Sequence, residues 1–373
     1  MARQQQTPPD RQAPRDGEGR IDLCAFDRAG LAAVLSEAIG ADEGASRRIF
    51  KQIWQRGVGS VREMANVRRE ILDRLDPVAE IPRLNAELVL TSADGTTKFL
   101  WRLPDGHAIE SVLIPSDGDG RLTLCVSTQV GCAMACTFCL TGDLGLVRHL
   151  TASEIALQPL QVQATLPPGT RITNIVLMGM GEPLHNLKNL LPALSIWLDD
   201  DGLVLSHRRV TVSTVGLVPK MAELAAALPV NLAVSLNATT EAQRRQIMPI
   251  TARYSMAELL AACRAFPLPH AKRITFEYVM FAEFNDTLDD AERLFALLDG
   301  IPAKVNLIPY NENPDRPALR RPSDETVLAF QNLLVRRGLS TSVRTTRGLD
   351  ISAACGQLGK AREQVDRGLV TRS

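Results

Sequence analysis

The stretch LCVSTQVGCAMACTFCLTG (Leu124–Gly142) sets four of the chain's seven cysteines within nineteen residues, and Cys132, Cys136 and Cys139 fall on the spacing C-x3-C-x2-C. Three thiolates within eight residues repel one another unless a cation neutralises them, so the loop reads as the seat of a metal or cluster. Zinc is one occupant to weigh, because Cys-x2-Cys is a common zinc half-site. Yet no second Cys-x2-Cys follows, His149 lies ten residues past Cys139, and Cys125 lies seven positions before Cys132. An iron–sulfur cluster accommodates three protein ligands better, since its fourth iron is left for a ligand from outside the chain.

Outward from this loop, strands and helices alternate. LTLCVST, ITNIVLM, RRVTVST, VNLAVSLN, RITFEYVM and AKVNLIP read as strands, with helical patterns at 153–165, 187–200, 217–227, 255–265 and 287–299. Six such repeats with apolar strands predict an α/β fold, a parallel sheet covered by helices and either open or curled into a barrel. The strands end in polar residues (Ser213, Ser235 and Asn237, Glu277, and PYN after the sixth), which favours a barrel whose site lies at that end. The cysteine loop follows the first strand directly. VLMGMGEP (Val176–Pro183) adds two glycines and Glu182 after the second, where glycine permits close backbone approach to a ligand and the carboxylate suits a cationic amine.

Before the repeats, AELVL, TKFLWRL and HAIESVLIP, separated by TSADGT and PDG, read as antiparallel strands joined by tight turns. Still earlier the pattern is helical. In ASRRIFKQIWQRG, Ile49 and Ile53, and Phe50 and Trp54, are spaced four apart and bury one face. The other face is basic: residues 47–74 hold Arg47, Arg48, Lys51, Arg56, Arg62, Arg68, Arg69 and Arg74 against Glu63, Glu70 and Asp73. That is either a solvated helical face or a surface for nucleic-acid phosphates. The whole chain, at 373 residues with 42 basic and 42 acidic side chains, has no net charge to steer a polyanion, so any such contact is local. No signal peptide or apolar run of membrane-spanning length is evident, and the cysteines are not spaced as an extracellular disulfide framework, so a reducing cytoplasm is expected.

The C-x3-C-x2-C loop after the first strand resembles the signature of the radical S-adenosylmethionine enzymes. With GMGEP and TTRGLDISAACGQL (Thr345–Leu358), the sequence resembles, from Ile21 to Lys360, the bacterial dual-specificity RNA adenine-C2 methyltransferases of that superfamily. The resemblance implies a partial (β/α)6 barrel, with a [4Fe-4S] cluster on Cys132, Cys136 and Cys139 whose fourth iron chelates S-adenosylmethionine. Gly181 and Glu182 would contact the methionine moiety, and Ser213, Ser235, Leu236, Asn237 and Asn311 would hold the rest. Asn237 stands where some relatives have histidine. Cys355 would be the methyl carrier, Cys125 its redox partner through a transient disulfide, and Glu110 the proton acceptor, with the sharing of proton transfer between Glu110 and Cys125 left open. Cys24 and Cys263 read as buried small hydrophobes. The implied partners are 23S ribosomal RNA, transfer RNA and an electron-donor protein such as flavodoxin or ferredoxin, for a cytoplasmic monomer with no membrane association.

The expected organisation is a disordered tail (1–20), a helical RNA-binding unit (21–80), an antiparallel extension (81–120), the barrel (121–350) and a segment carrying the reactive cysteine (351–373). Arg316, Arg320, Arg321, Arg344 and Arg347 are either candidates for holding phosphates near the barrel mouth or solvated surface groups. Two rivals remain at this stage, the homologous adenine-C8 methyltransferase and a non-catalytic, zinc-stabilised RNA-binding module.

Overall fold

Asp27 and Asp42 open the first two helices by accepting the amides of Gly30 (2.8 Å) and Ala45 (2.6 Å), and Gly40 and Gly57 close them in the left-handed conformation. In the computed structural model, which describes residues 19–268 and 272–359, these are α1 (Arg28–Ile39) and α2 (Glu43–Arg56). Most of the expected tail, and residues 360–373 of the C-terminal segment, lie outside the described residues. Strand β1 (Ile21–Asp22) pairs in parallel with β2 (Ala79–Glu80), closing α1, α2 and α3 (Arg69–Leu75) into one unit. Ile49, Phe50, Ile53 and Trp54 are buried, as their spacing requires.

The basic face is partly redirected inward. Arg28 meets Asp199 at 2.9 Å, while Arg47 and Lys51 converge on Asp201. Arg62, Arg68 and Arg69 pair with acids of their own unit, Asp73 and Asp76, Asp42, and Asp73 respectively. Much of this charge therefore braces the helical unit and its seat on the barrel.

Strands β3 (Asn85–Thr91), β4 (Thr97–Arg102) and β5 (Ala108–Pro115) are antiparallel, and β5 continues antiparallel into β6 (Leu122–Cys125) with Val112 opposite Cys125. The extension is thus one edge of the main sheet. Then come β7 (Gln129–Gly131), α4 (Leu140–Asp143), β8 (Leu146–His149), α5 (Ala152–Ala164), β9 (Asn174–Leu177), α6 (Leu187–Leu198), β10 (Val210–Thr214) and α7 (Val218–Ala227). The chain continues through β11 (Asn231–Ser235), α8 (Glu241–Ile247), α9 (Met256–Ala265), β12 (Ile274–Met280), α10 (Leu288–Leu297), β13 (Ala303–Pro309), α11 (Asp324–Arg336) and β14 (Thr341–Val343).

The sheet order is β14-β13-β12-β11-β10-β9-β6-β5-β4-β3, parallel from β6 to β14. Its two edges do not pair, so the barrel is partial. All six expected strands are present, and β14 adds a short seventh. The sequence reading also lacked α8, only seven residues long, and α11, whose Val327, Phe330 and Leu334 face the core. One apolar core runs from Ile21 to Leu358 and joins the helical unit to the sheet. Among the described residues no helix is long and apolar enough to cross a membrane.

Candidate active site

The short antiparallel pair β7–β8 brackets the cysteine loop. Gly131, at φ +73°, lies so close to Gly145 that a Cβ would sit 1.8 Å from its carbonyl oxygen, and Cys132 N–H donates to that same oxygen at 2.8 Å. Thr137 N–H donates to the Ile247 carbonyl (3.0 Å), and Cys139 caps α4 while its N–H reaches Cys136 O (3.1 Å). Cys136 is buried, Cys132 and Cys139 half-buried. Burial pushes Cys132 up to about 12, with Cys139 and Glu182 acting in the same direction. Burial likewise raises Cys136 well above the ordinary thiol range, with Cys139, Cys132 and Glu182 adding. Buried thiols that repel one another's charge become thiolates only when a cation joins them, and three such donors on one loop fit a multi-iron cluster. Among the described residues no three His, Cys, Asp or Glu side chains converge tightly enough to hold a single metal ion.

The glycines of the GMGE turn serve the protein's own packing. A Cβ on Gly179 would lie 2.8 Å from the Val126 carbonyl and from Ser127 Oγ; one on Gly181 (φ +102°) would lie 2.6 Å from Gln129 Cβ. These contacts press the turn after β9 against Val126–Gln129. Glu182 is buried. Its N–H donates to Gln129 Oε1 (2.7 Å), and its carboxylate accepts the amides of Leu184 (3.1 Å) and Val215 (2.9 Å). Burial still lifts its pKa to about 7, so a cation beside it would restore the carboxylate.

Ser213 and Ser235 lie half-buried at the ends of β10 and β11. Leu236 is a core residue whose amide donates to Glu277 O at 3.0 Å. Asn237, at φ +58°, is wholly buried; its Oδ1 accepts from Val279 N–H (2.9 Å) and its Nδ2 donates to Met248 Sδ (3.3 Å). The fold thus gives Leu236 and Asn237 internal partners. Arg244, which the sequence did not single out, is buried in α8 and donates to the carbonyls of Leu236, Ser235 and Val215 (3.1, 3.1 and 2.6 Å), tying adjacent strand ends together.

Cys355, Cys125 and Arg344 influence one another electrostatically. Burial, then Cys355, pushes Cys125 up to about 12, and Arg344 opposes this. Arg344 is in turn raised, first by Cys355, then by Glu277 and Cys125. All seven cysteines are free thiols, so the expected disulfide between Cys125 and Cys355 is not formed in this structure. Asn311 reaches Cys355 O through Nδ2 (3.5 Å) and accepts from Thr346 Oγ1 (2.9 Å).

The segment around Cys355 is clamped from both sides. Gly348 N–H donates to Asp94 (2.8 Å), and Ser92 Oγ donates to Asp350 (2.6 Å). On the cluster side Leu140 N–H donates to Gly356 O (2.8 Å) and Thr141 Oγ1 to Leu358 O (2.7 Å). Glu110 joins this clamp: it accepts Gly359 N–H at 2.8 Å and lies 3.4 Å from Lys98 Nζ, both side chains only 1% exposed. Lys98 also donates to Ser352 O (3.1 Å). A lysine diagonal to Glu110 across β4 and β5 was the available signal for this pair, and the sequence reading missed it.

The mouth arginines have protein partners. Arg316 braces Cys139 O (3.0 Å) and Asp143 (2.7 Å), and Arg344 serves the thiols. Arg320, Arg321 and Arg347 are paired with Glu283, Asp324 and Asp117.

A partial β/α barrel with three cysteines in the loop after its first parallel strand defines a radical S-adenosylmethionine protein, and residues 126–298 match the Radical SAM superfamily. The match to individual proteins is longer. The chain is 50% identical over 339 residues to the dual-specificity RNA methyltransferase RlmN of Geotalea uraniireducens, covering 91% of this chain and 96% of that one. It is 51% identical over 319 residues to RlmN of Geobacter sulfurreducens, with 86% and 87% covered. A solved radical SAM methyltransferase from Sphaerobacter thermophilus superposes with a TM-score of 0.84 at 39% identity, over 90% of this chain and 98% of that one. The chain belongs to the dual-specificity RNA methyltransferase RlmN family.

Proposed function

We infer that the protein methylates C2 of adenine in 23S ribosomal RNA and in transfer RNA, using two molecules of S-adenosylmethionine and a methylated cysteine. The observation that supports this most is the docking of the Cys355 segment on the three-cysteine loop, where Leu140 N–H donates to Gly356 O at 2.8 Å and Thr141 Oγ1 to Leu358 O at 2.7 Å. Adenine C2 has no electron pair with which to attack a sulfonium methyl, whereas a cysteine thiolate has. The Cys355 sulfur takes the methyl from the first adenosylmethionine, and S-adenosylhomocysteine leaves with the electron pair of the broken sulfonium bond. Cys132, Cys136 and Cys139 would hold a [4Fe-4S] cluster, which together with a second adenosylmethionine supplies the one-electron chemistry that makes the carried methyl reactive toward C2.

The remaining work falls to the chain. Gly181, Glu182, Ser213, Ser235, Leu236, Asn237 and Asn311 line the cofactor's side of the site. The buried walls of the partial barrel exclude water from a reactive carbon. Once carbon joins the base, Glu110 or Cys125 takes the C2 proton. Cys125 sulfur then attacks Cys355 sulfur: the disulfide forms, the electron pair of the broken carbon–sulfur bond goes to the methylene carbon, which takes a proton to become methyl, and the adduct's one surplus electron would return to the cluster. C2 of a stacked adenine is out of reach, so the base is turned out of its helix. The helical unit, with Arg48, Arg56 and Arg74 on its surface, is the proposed RNA contact. A cytoplasmic monomer served by a donor such as flavodoxin or ferredoxin completes the reading.

Turnover of RNA carrying deuterium at adenine C2, by anaerobically reconstituted protein, tests the regiochemistry. Loss of deuterium from the methylated nucleoside is expected. A product that keeps the label would mean attack at C8.

A further inference from the structure

On the far side of the GMGE turn lies a polar cluster that the mechanism leaves unused. Gln129, buried at the start of β7, accepts the Glu182 N–H through Oε1 at 2.7 Å. Its Nε2 lies 2.9 Å from His149 Nδ1 and 3.3 Å from His185 Nδ1, and the two rings meet edge to face with centroids 4.9 Å apart. A backbone N–H can only donate, so the Gln129 atom facing Glu182 is its carbonyl oxygen. The atom facing the histidines is then the NH2 group, which also only donates. Both Nδ1 atoms must therefore carry lone pairs, and both imidazoles are neutral with hydrogen on Nε2. The same glutamine fills the space beside Gly181, where a Cβ would meet its side chain at 2.6 Å.

We propose that Gln129, oriented by neutral His149 and His185, is the positioning residue for the adenosylmethionine-binding turn Gly181–Glu182, and that protonating either histidine loosens that turn's hold on the cofactor. The proposal rests on the reading of Gly181 and Glu182 as cofactor contacts. A proton on either Nδ1 would set N–H against NH2. Turning the amide over relieves that clash only by setting NH2 against the Glu182 N–H, so one buried hydrogen bond is lost either way. In keeping with this, burial and then His185 hold His149 below the ordinary imidazole value.

Other charges flank the cluster. Arg148, on β8, donates to His149 O (3.0 Å) and to Glu154 of α5 (2.8 Å), and also pairs with Asp105. Lys188 follows His185 by three residues, and Glu182 carries its own carboxyl. All of them are common to the wild type and the histidine variants below, so their titration cancels in the comparison.

Two measurements test the proposal. In cluster-free protein, NMR titration of His149 should move upward by about one pH unit or more in Gln129→Glu, because the new carboxylate keeps an acceptor for Glu182 N–H and offers one to a protonated ring. In reconstituted protein, equilibrium dialysis should find adenosylmethionine affinity falling about fivefold more between about pH 8 and about pH 5.5 in the wild type than in His149→Asn/His185→Asn. An unmoved His149 in Gln129→Glu overturns the proposal. So does an equal pH response of wild type and double variant, provided Glu182→Gln itself weakens binding. If Glu182→Gln binds adenosylmethionine as the wild type does, the assignment of the turn as a cofactor contact fails, and the proposal with it.

Discussion

The cysteine loop and the segment that carries Cys355 touch each other, yet they are fastened in opposite ways. The loop is closed chiefly by near neighbours: Cys132 on Gly145, Cys139 on Cys136, and Gly131 pressed against Gly145. The Cys355 segment is held by Ser92, Asp94, Lys98, Glu110 and Thr141, between 217 and 258 positions away in sequence. A cluster site must keep three donors fixed, and local closure does this. A carrier must take a methyl from one partner and deliver it to another, and a few separable hydrogen bonds to other parts of the fold permit that movement.

Substitutions on the two sides should separate these roles. The largest effect is expected from Lys98→Met, which removes the buried 3.4 Å ion pair with Glu110; breaking such a pair costs on the order of 3–5 kcal/mol. Urea unfolding would measure it, and Lys98→Arg should recover most of the loss. Gly131→Ala comes next. Its Cβ cannot share space with the Gly145 carbonyl, so a cost of roughly 2–3 kcal/mol is expected, together with reduced iron content after reconstitution.

Asp22 provides a reference remote from both regions. Burial lifts its carboxyl from 3.8 to about 6, so its contribution to stability is fully present below about pH 3.8 and is lost as pH rises through about 6. Asp22→Asn keeps the acceptor for Cys24 N–H and should be about 2 kcal/mol more stable than the wild type near neutrality, the gain vanishing toward pH 4. Thermal unfolding across that range would detect it. Smallest is Ser92→Ala, which removes one bond to Asp350 and should cost about 1 kcal/mol while raising hydrogen exchange across residues 345–359 and leaving exchange in the cysteine loop unchanged.

The two regions also differ in how far they could be read from sequence. The loop declared itself through spacing, and the six β/α repeats through alternation of apolar strands with helical patterns. Strand β14 and helix α8, three and seven residues long, carry too little periodicity to register. Lys98 and Arg244 stayed hidden, and Arg344 was noticed only for phosphate, because a buried charge is identified by its partners, which here come from other elements of the fold. The glycines of the GMGE turn were noticed for a ligand, and their neighbours proved to be Gln129 and Val126. The histidines beside Gln129 gave no sequence signal beyond the His149 spacing that spoke against zinc.

Mass spectrometry of Cys125→Ala incubated anaerobically with adenosylmethionine, reductant and RNA bears most directly on the carrier account. A covalent adduct joining adenosine to Cys355 through one carbon is the predicted outcome, because the thiol that would release it is gone. Free methylated RNA from that variant, or an adduct on any other side chain, would contradict the account.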